Sequence, residues 1–163
     1  MGKYLVVAYQ TASSPELLKR LKELASEDAK HEFVLLVPAT PVGHLVAWSE
    51  GEARAAAQRA AEQARDLLER NGLQVSRIAV GDEAPVIAVQ DDVRDNPTHY
   101  DGIVVSTLPL GISRWLGMDI PNQMRRRFNV PVIHVVADDK TTTESLIQVA
   151  APAACVRPTP MAS

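Results

Sequence analysis

The sequence feature that most constrains the fold is a regular alternation between short apolar runs and amphipathic helical stretches. Lys3–Tyr9 and Glu32–Val37 are two such runs, rich in β-branched and other apolar residues. Strands of this kind are typical of a parallel sheet that helices cover on both faces. The alternation therefore predicts an α/β fold with a doubly wound parallel sheet, and 163 residues are enough for one such domain to bury a core.

Three later apolar runs complete the predicted sheet: Leu73–Val80, Gly102–Ser106 and Pro131–Ala137. Each of them follows a helical stretch, so the connections are expected to be right-handed crossovers between parallel strands. The chain shows no internal repeat, and one domain is predicted.

Helix boundary signals separate these runs. Ser14, followed by a proline, predicts the start of the first helix, because serine caps free amides and proline fits the first helical position. A capping box of Ser13 and Glu16 would start that helix one residue earlier. Gly72 supplies a left-handed residue that ends the longest helix, which is predicted over residues 50–70.

Two shorter helices are predicted, one from Pro85 and one over residues 119–128. The buried face of the first is expected to carry Val86, Val89 and Val93, while Asp91, Asp92 and Asp95 are expected to be solvated. In the longest helix the side chains expected to face the sheet are mostly small, namely Ala53, Ala57, Ala60, Ala64, Leu67 and Leu68.

Composition and charge exclude several classes of function. A net charge of −3 gives no broad attraction for nucleic acid or an anionic membrane, and no apolar stretch is long enough to span a bilayer. Cys155 is alone, so the chain has no intrachain disulfide and no zinc site built on cysteines. The arginines from Arg125 to Arg127 spread around a helix and are expected to be solvated, with a phosphate or RNA contact as the alternative. We expect a cytoplasmic protein that binds neither nucleic acid nor membrane.

Ligands of doubly wound sheets bind outside the carboxyl ends of the strands, where the strand order reverses. The loops predicted at that edge are Ala8–Ser13, Val37–Leu45, Gly81–Glu83 and Ser106–Asp119. They contain no glycine-rich dinucleotide fingerprint and no P-loop, and the four histidines form no metal or catalytic constellation. His134 is interpreted as a packed or interface residue, and His44 as a residue of the loop beside the crevice.

Four segments are similar to segments of the universal stress proteins. Gly81–Ile87 resembles the Gly-Asp-Pro segment before that family's third helix, and Tyr100–Ser106 resembles its fourth strand. Gly111–Leu116 and Asn129–Val136 resemble its Gly-Leu-Ser-Arg stretch and its final strand. The resemblance implies the strand order 3-2-1-4-5 of the adenine nucleotide alpha hydrolase-like fold, over residues 1–138. Residues 139–163 are predicted to form an extended or partly ordered tail.

ATP-binding members of that family hold the triphosphate with a Gly-x-x-Gly turn and a later Gly-Ser or Gly-Thr. At the matching positions this chain has Val105, Leu108 and Met118, with Asp119 in place of the hydroxyl residue. Glycine there lets phosphate oxygens reach backbone amides, whereas Leu108 adds a Cβ and Pro109 removes a donor. Asp119 at a helix N-terminus would itself supply the anion that the free amides favour. We therefore predict no cofactor, with ATP and Mg²⁺ disfavoured.

The candidate ligand-binding residues at this edge are polar, apart from one apolar wall residue: Gln10, Val37, His44, Ser106, Thr107, Ser113, Arg114 and Asp119. The loop after the fourth strand is expected to cap the core with Trp115, Leu116 and Met118. The alternative is a remodelled pocket or partner surface, in which Arg114 and Thr107 are the polar groups.

Three hypotheses of function follow. The first, which the resemblance implies, is a non-catalytic stress-response or regulatory protein that forms a homodimer through the final strand, Val132–Val136, or binds a protein partner. The second is a nucleotide-binding protein, for ATP or AMP, with a remodelled phosphate loop. The third is an enzyme on a related fold, and it is disfavoured because the sequence indicates no nucleophile–base pair and no paired carboxylates at the strand ends.

Overall fold

A computed structural model describes residues 2–9, 11–28, 30–39, 50–97, 99–109 and 118–137. Its strands are β1 Lys3–Val7, β2 Glu32–Pro38, β3 Gln74–Gly81, β4 Gly102–Thr107 and β5 Val132–Val136. Its helices are α1 Pro15–Glu27, α2 Glu50–Arg70, α3 Pro85–Asp95 and α4 Ile120–Arg127. The strands are all parallel, in the order β3-β2-β1-β4-β5, which confirms the predicted fold class. The predicted tail, residues 139–163, lies outside the described residues.

Both faces of the sheet are buried, which explains why its central strands show no polar alternation. On one face Val6, Leu35 and Val104 belong to a cluster that also contains buried side chains of α1 and α2. On the other face Leu36 and Ile103 belong to a second cluster, with buried side chains of α3 and α4. Each apolar side chain of this size contributes about 1.5–3 kcal/mol when it is fully buried. The sheet is therefore held between two separate cores.

Local signals place the helix ends as the sequence predicted. The Ser14 hydroxyl accepts a hydrogen bond from the Leu17 amide at 3.2 Å, so Ser14 is the cap of α1. Gly72 has a φ of +81° just after α2, the left-handed conformation that glycine adopts most readily. None of the described helices combines the length and the apolar character that a membrane crossing needs.

The inner face of α2 differs slightly from the predicted one. Its buried side chains are Ala53, Ala57, Ala61, Ala64 and Leu68. Ala60 and Leu67, which were expected in this stripe, are only partly buried. The observed spacing follows a period of about 3.6 residues and is centred a fraction of a turn away from the prediction.

Helix α3 corrects the predicted solvated acidic face. Asp92 is 6% exposed, whereas Val93, expected in the core, is 37% exposed. The Asp92 carboxylate lies 2.8 Å from the Arg77 guanidinium and accepts a hydrogen bond from the Tyr100 hydroxyl at 2.8 Å. Arg77 also donates to the Tyr100 oxygen at 3.1 Å. A buried carboxylate needs such partners, so this rotation of α3 is set by the ion pair as well as by its valines.

A β-bulge positions Arg77 for this contact. Phe33 pairs with Val75 and Val34 pairs with Arg77, so Ser76 is an extra residue in β3. The bulge shifts the alternation of side chains by one, and Arg77 lies on the same face of the sheet as Val34, towards α3. Because β3 is an edge strand, an inward-pointing charge at this place also disfavours pairing with another chain.

We expect that Asp92→Ala lowers the free energy of unfolding by about 2–3 kcal/mol, because it leaves Arg77 and Tyr100 without their shared acceptor. The matched control is Asp91→Ala on the same helix, which removes an exposed pair with Arg94 and should cost less than about 0.5 kcal/mol. Urea unfolding of both variants measures the difference. Equal losses for the two variants would show that the buried network contributes nothing specific.

Candidate functional site

The candidate site lies where the strand order reverses, between the carboxyl ends of β1 and β4. The chain leaves β1 towards β2 on one side and leaves β4 towards β5 on the other, which opens a crevice in sheets of this topology. Backbone hydrogen bonds extend the pairing just beyond the strands, from the Ala8 amide to the Leu36 carbonyl and from the Ala137 amide to the Thr107 carbonyl. The pairing of β1 with β2 and of β4 with β5 therefore continues one residue beyond the ends of β1 and β5.

A hydrogen bond between two side-chain hydroxyl groups spans this reversal point. The Thr11 and Ser106 oxygens are 2.6 Å apart, and both side chains are buried. The Ser14 amide donates to the Thr11 carbonyl at 3.0 Å, which fixes the turn between β1 and α1. This turn is therefore joined to the end of β4, and the Ser106 hydroxyl already has a partner within the chain.

Thr107 and His134 form a second polar pair at the same edge. The threonine hydroxyl and the imidazole Nε2 share a hydrogen bond of 2.7 Å. His134 pairs with Val105 in the strand register, so its ring reaches Thr107 diagonally along the same face of the sheet. Burial lowers the pKa of His134, and the positive charge of Arg125 lowers it further. The imidazole is thus held in its neutral form.

This pair corrects the expectation that no hydroxyl and base meet at the strand ends. The register between β4 and β5 brings Thr107 and His134 together, since the two residues lie on different strands. The packed interpretation of His134 agrees with its partial burial. Thr107, however, is 2% exposed, so its side chain is enclosed by neighbouring protein atoms.

Tyr9 is a residue of the edge that the sequence analysis did not single out. It follows β1 after Ala8, and among the described residues it is the one partly buried side chain that packs against both core clusters. Burial raises the pKa of Tyr9, while the charge of Arg59 on α2 offsets part of the rise. An aromatic residue directly after a central strand was the signal in the sequence.

Asp119 begins α4 but does not cap it as predicted. Its backbone is left-handed, with a φ of +55°, and its carboxylate makes no hydrogen bond to the amides of the first turn. The side chain instead accepts from the Asn122 amide group at 2.7 Å and lies 3.7 Å from the Arg126 guanidinium. Capping by a side chain needs an extended backbone at that residue, which explains the difference.

Of the five remaining candidate residues, the structure describes one, Val37. Val37 has no exposed surface and packs in the cluster on the α1 and α2 face. Leu108 and Pro109 follow β4 directly and are partly buried. Gln10, His44, Ser113 and Arg114 lie outside the described residues, as do Trp115 and Leu116 of the predicted cap. Met118, which was expected to cover the core with them, is 46% exposed. Within the described part of the chain, no three His, Cys, Asp or Glu side chains are grouped so as to hold a metal ion.

The hydroxyl pair is tested by a double-mutant cycle. Ser106→Ala leaves the buried Thr11 hydroxyl without a partner and should lower the free energy of unfolding by about 1–3 kcal/mol. Adding Thr11→Val should cost less than its single effect, because the orphaned group is removed with it. Ser26→Ala, at an exposed position of α1, is the control and should change stability by less than about 0.5 kcal/mol. Strictly additive effects of Thr11→Val and Ser106→Ala would contradict the bond.

His134 should make stability depend on pH. Because its pKa is lower in the folded chain, the unfolded chain takes up the proton first, at about pH 6.5. The contribution of His134 to the free energy of unfolding is therefore fully present above about pH 6.5, and it declines as the pH falls towards the pKa of the folded state. His134→Gln should lose this component in urea unfolding between about pH 7.5 and 5. His99→Gln, at an exposed histidine, should keep it, and a His134→Gln profile identical to that of the starting protein would contradict the assignment.

Comparison with known proteins supports the fold. No family model matches the chain, and no curated protein matches it in sequence. A universal stress protein from Archaeoglobus fulgidus aligns with a TM-score of 0.54 at 14% identity, over 83% of this chain and 93% of that one. A universal stress protein in complex with cAMP aligns with a TM-score of 0.52 at 18% identity, over 82% and 96% of the two chains. A universal stress protein family member from Arabidopsis thaliana with AMP bound aligns with a TM-score of 0.50 at 13% identity, over 86% and 94%. This chain therefore has the fold of the universal stress proteins.

Proposed function

We propose that this chain is a non-catalytic, stress-linked regulatory protein of the universal stress type that does not hold ATP through a glycine-rich phosphate loop. The observation that carries the proposal is the Thr11–Ser106 bond, which spans the crevice between β1 and β4 with groups of the chain itself. A ligand that used these hydroxyls would first have to break a buried hydrogen bond. Such a rearrangement is unfavourable unless the ligand replaces the bond fully.

The residues after β4 also disfavour a triphosphate. Leu108 and Pro109 occupy the start of the segment in which the family's glycine turn would lie, and proline has no amide hydrogen to donate. The Asp119 carboxylate stands at the start of α4, where a phosphate would otherwise meet free amides. At about 4 Å two negative charges repel by about 1 kcal/mol in water and about 4 kcal/mol near a protein surface.

We propose a non-catalytic protein because a substrate has little access to the Thr107 hydroxyl. Thr107 and neutral His134 resemble a hydroxyl beside a general base, but a base acts only on a proton within hydrogen-bond reach of a bound substrate. The Thr107 hydroxyl is enclosed by protein atoms. The pair is therefore better suited to fix β4 against β5 than to transfer a proton.

Self-association through β5 is part of the same proposal. This strand is at the edge of the sheet, and its Val136 is 46% exposed. An edge strand presents unpaired backbone groups to one side, and a second copy of the strand related by a two-fold axis would satisfy them. We place such a dimer in the cytoplasm.

The second candidate function is the binding of a nucleoside monophosphate. It is favoured by the structural neighbours that carry cAMP and AMP. A monophosphate does not need the cradle for a triphosphate, so the loss of the glycines would matter less. Ser106 and Thr107 would then exchange their present partners for the ligand, with Arg114 as the charged group, in a pose that differs from the ATP pose.

Thermal unfolding with added nucleotides tests both functions. We expect no change in melting temperature with millimolar ATP-Mg²⁺ or ADP. A ligand at about a hundred times its dissociation constant adds about 2.7 kcal/mol, which is a shift of several degrees for a domain of this size. A shift with ATP would overturn the proposal, and a shift confined to AMP or cAMP would support the second candidate. MgCl₂ and inorganic phosphate at matched ionic strength are the controls.

A further inference from the structure

Helix α2 ends in two backbone hydrogen bonds that fold the chain back on its last turn. The Gly72 amide donates to the Glu69 carbonyl at 3.0 Å, and the Leu73 amide donates to the Leu68 carbonyl at 3.1 Å. With Gly72 in the left-handed conformation, these two bonds form a Schellman motif, which an apolar contact commonly accompanies. Leu68 and Leu73 are both buried in the cluster on the α1 and α2 face. Hydrogen bonds and apolar burial therefore hold the end of α2 together.

Asn71 directly precedes this glycine, and its side chain belongs to the same motif. The Asn71 Nδ2 group donates to the Leu67 carbonyl at 2.8 Å. Gly72 is exposed, and no atom of a non-adjacent residue lies within 4 Å of the place where a Cβ would stand. The carbonyls of α2 therefore engage both the asparagine side chain and the glycine amide, on a part of the surface that water reaches.

An asparagine followed by a glycine can modify itself without an enzyme or a cofactor. The Gly72 amide gives up its proton to hydroxide, and its nitrogen attacks the Asn71 Cγ. As that bond forms, the bond from Cγ to Nδ2 breaks, and Nδ2 takes a proton from water and leaves as ammonia. Water then opens the cyclic succinimide at either carbonyl, which leaves aspartate or isoaspartate in place of the asparagine. A side chain on the attacking residue would hinder the approach, and glycine has none.

We propose that Asn71 is a deamidation site and that opening of the Schellman motif sets the rate of its reaction. In the closed motif the Gly72 hydrogen is bonded to the Glu69 carbonyl, so the nitrogen is not free to lose it. The end of a helix opens locally more often than the whole domain unfolds. The rate in the folded chain is therefore the rate in the unfolded chain multiplied by the fraction of molecules in which the motif is open.

The site is separate from the crevice described above. Gly72 and Leu73 connect α2 to the start of β3, at the amino edge of the parallel sheet, whereas the candidate site lies at the carboxyl edge. The inference therefore goes beyond the proposed function and does not depend on it.

The products should loosen the end of α2. A carboxylate has no hydrogen to donate to the Leu67 carbonyl, and a negative charge is unfavourable at the C-terminus of a helix. Asp66 and Glu69, two exposed acidic residues of the last turns, add to the unfavourable charge. Isoaspartate also adds a methylene to the backbone before Gly72, which displaces the two amides from their α2 carbonyls. Deamidation thus leaves a lasting chemical record of the opening that allowed it.

Peptide mass spectrometry of the full chain, incubated at mildly alkaline pH with and without denaturing urea, measures the conversion of Asn71. We expect the unfolded chain to react at least about ten times faster than the folded chain. The hydrogen-exchange protection factor of the Gly72 amide should match this ratio within about threefold, because exchange and attack need the same amide to be free. Asn96, before a proline that has no amide hydrogen, and Asn129, before a valine, are internal controls and should react more slowly than Asn71 in urea.

Two leucine truncations separate opening of this motif from a general loss of stability. Leu73→Val shortens the apolar contact of the motif and leaves the reacting pair unchanged, so it should speed deamidation of the folded chain at least about threefold. Leu24→Val makes the same change at an equally buried position of α1 and should leave the rate unchanged. In urea both variants should react at the rate of the starting protein.

Equal rates in the folded and the unfolded chain would overturn the inference, and so would an equal acceleration by Leu73→Val and Leu24→Val. In the unfolded chain, conversion of Asn71 no faster than that of Asn129 would remove the site itself. If Leu73→Val does not fold, the starting protein alone decides. A ratio of rates that departs from the protection factor of the Gly72 amide would show that opening of this motif does not set the rate.

Discussion

Burial of both faces of the parallel sheet is the constraint on which the rest of this structure depends. Once α1 and α2 cover one face and α3 and α4 cover the other, the middle of each central strand has room only for apolar side chains. Polar chemistry is then confined to the strand ends and to the edge strands. The Thr11–Ser106 and Thr107–His134 pairs lie at the carboxyl ends, and Arg77 lies on an edge. The same burial that stabilises the fold therefore positions the candidate site.

The Arg77–Asp92–Tyr100 network shows what a charged group requires when it is buried between the sheet and a helix. Asp92 faces the sheet, and its two carboxylate oxygens are both engaged by donors. Burial and the hydrogen bond to Asp92 raise the pKa of Tyr100 to about 12, so the phenol stays protonated and donates throughout the physiological range. A buried ion pair gives little net stability compared with apolar packing, whereas the loss of one partner is costly. The network thus ties the position of α3 to one register of β3, which the bulge at Ser76 sets.

The sequence predicted the order of the elements because their signals are local. Apolar runs, the Ser14 cap and Gly72 each act within a few residues, and all five strands lie within about two residues of the predicted bounds. The errors concern relations between elements. The burial of Asp92 depends on a bulge in another strand, and the Thr107–His134 contact depends on the register of two strands. An aromatic residue directly after a central strand is visible in the sequence as Tyr9, but its contact with both core clusters depends on how the two faces of the sheet are packed.

The carboxyl edge is where this chain differs from a generic site on the same fold. In an open crevice, hydroxyls and amides have no hydrogen-bond partner until a ligand binds. Here Ser106 and Thr107 already have partners within the chain, and the turn after β1 lies against β4. Each such contact lowers the free energy of the unliganded state and must be given up or matched on binding. Contacts of this kind stabilise the fold whether or not a ligand binds at this edge. This separation between fold and ligand is the reason that structural likeness to nucleotide-bound neighbours does not by itself establish nucleotide binding here.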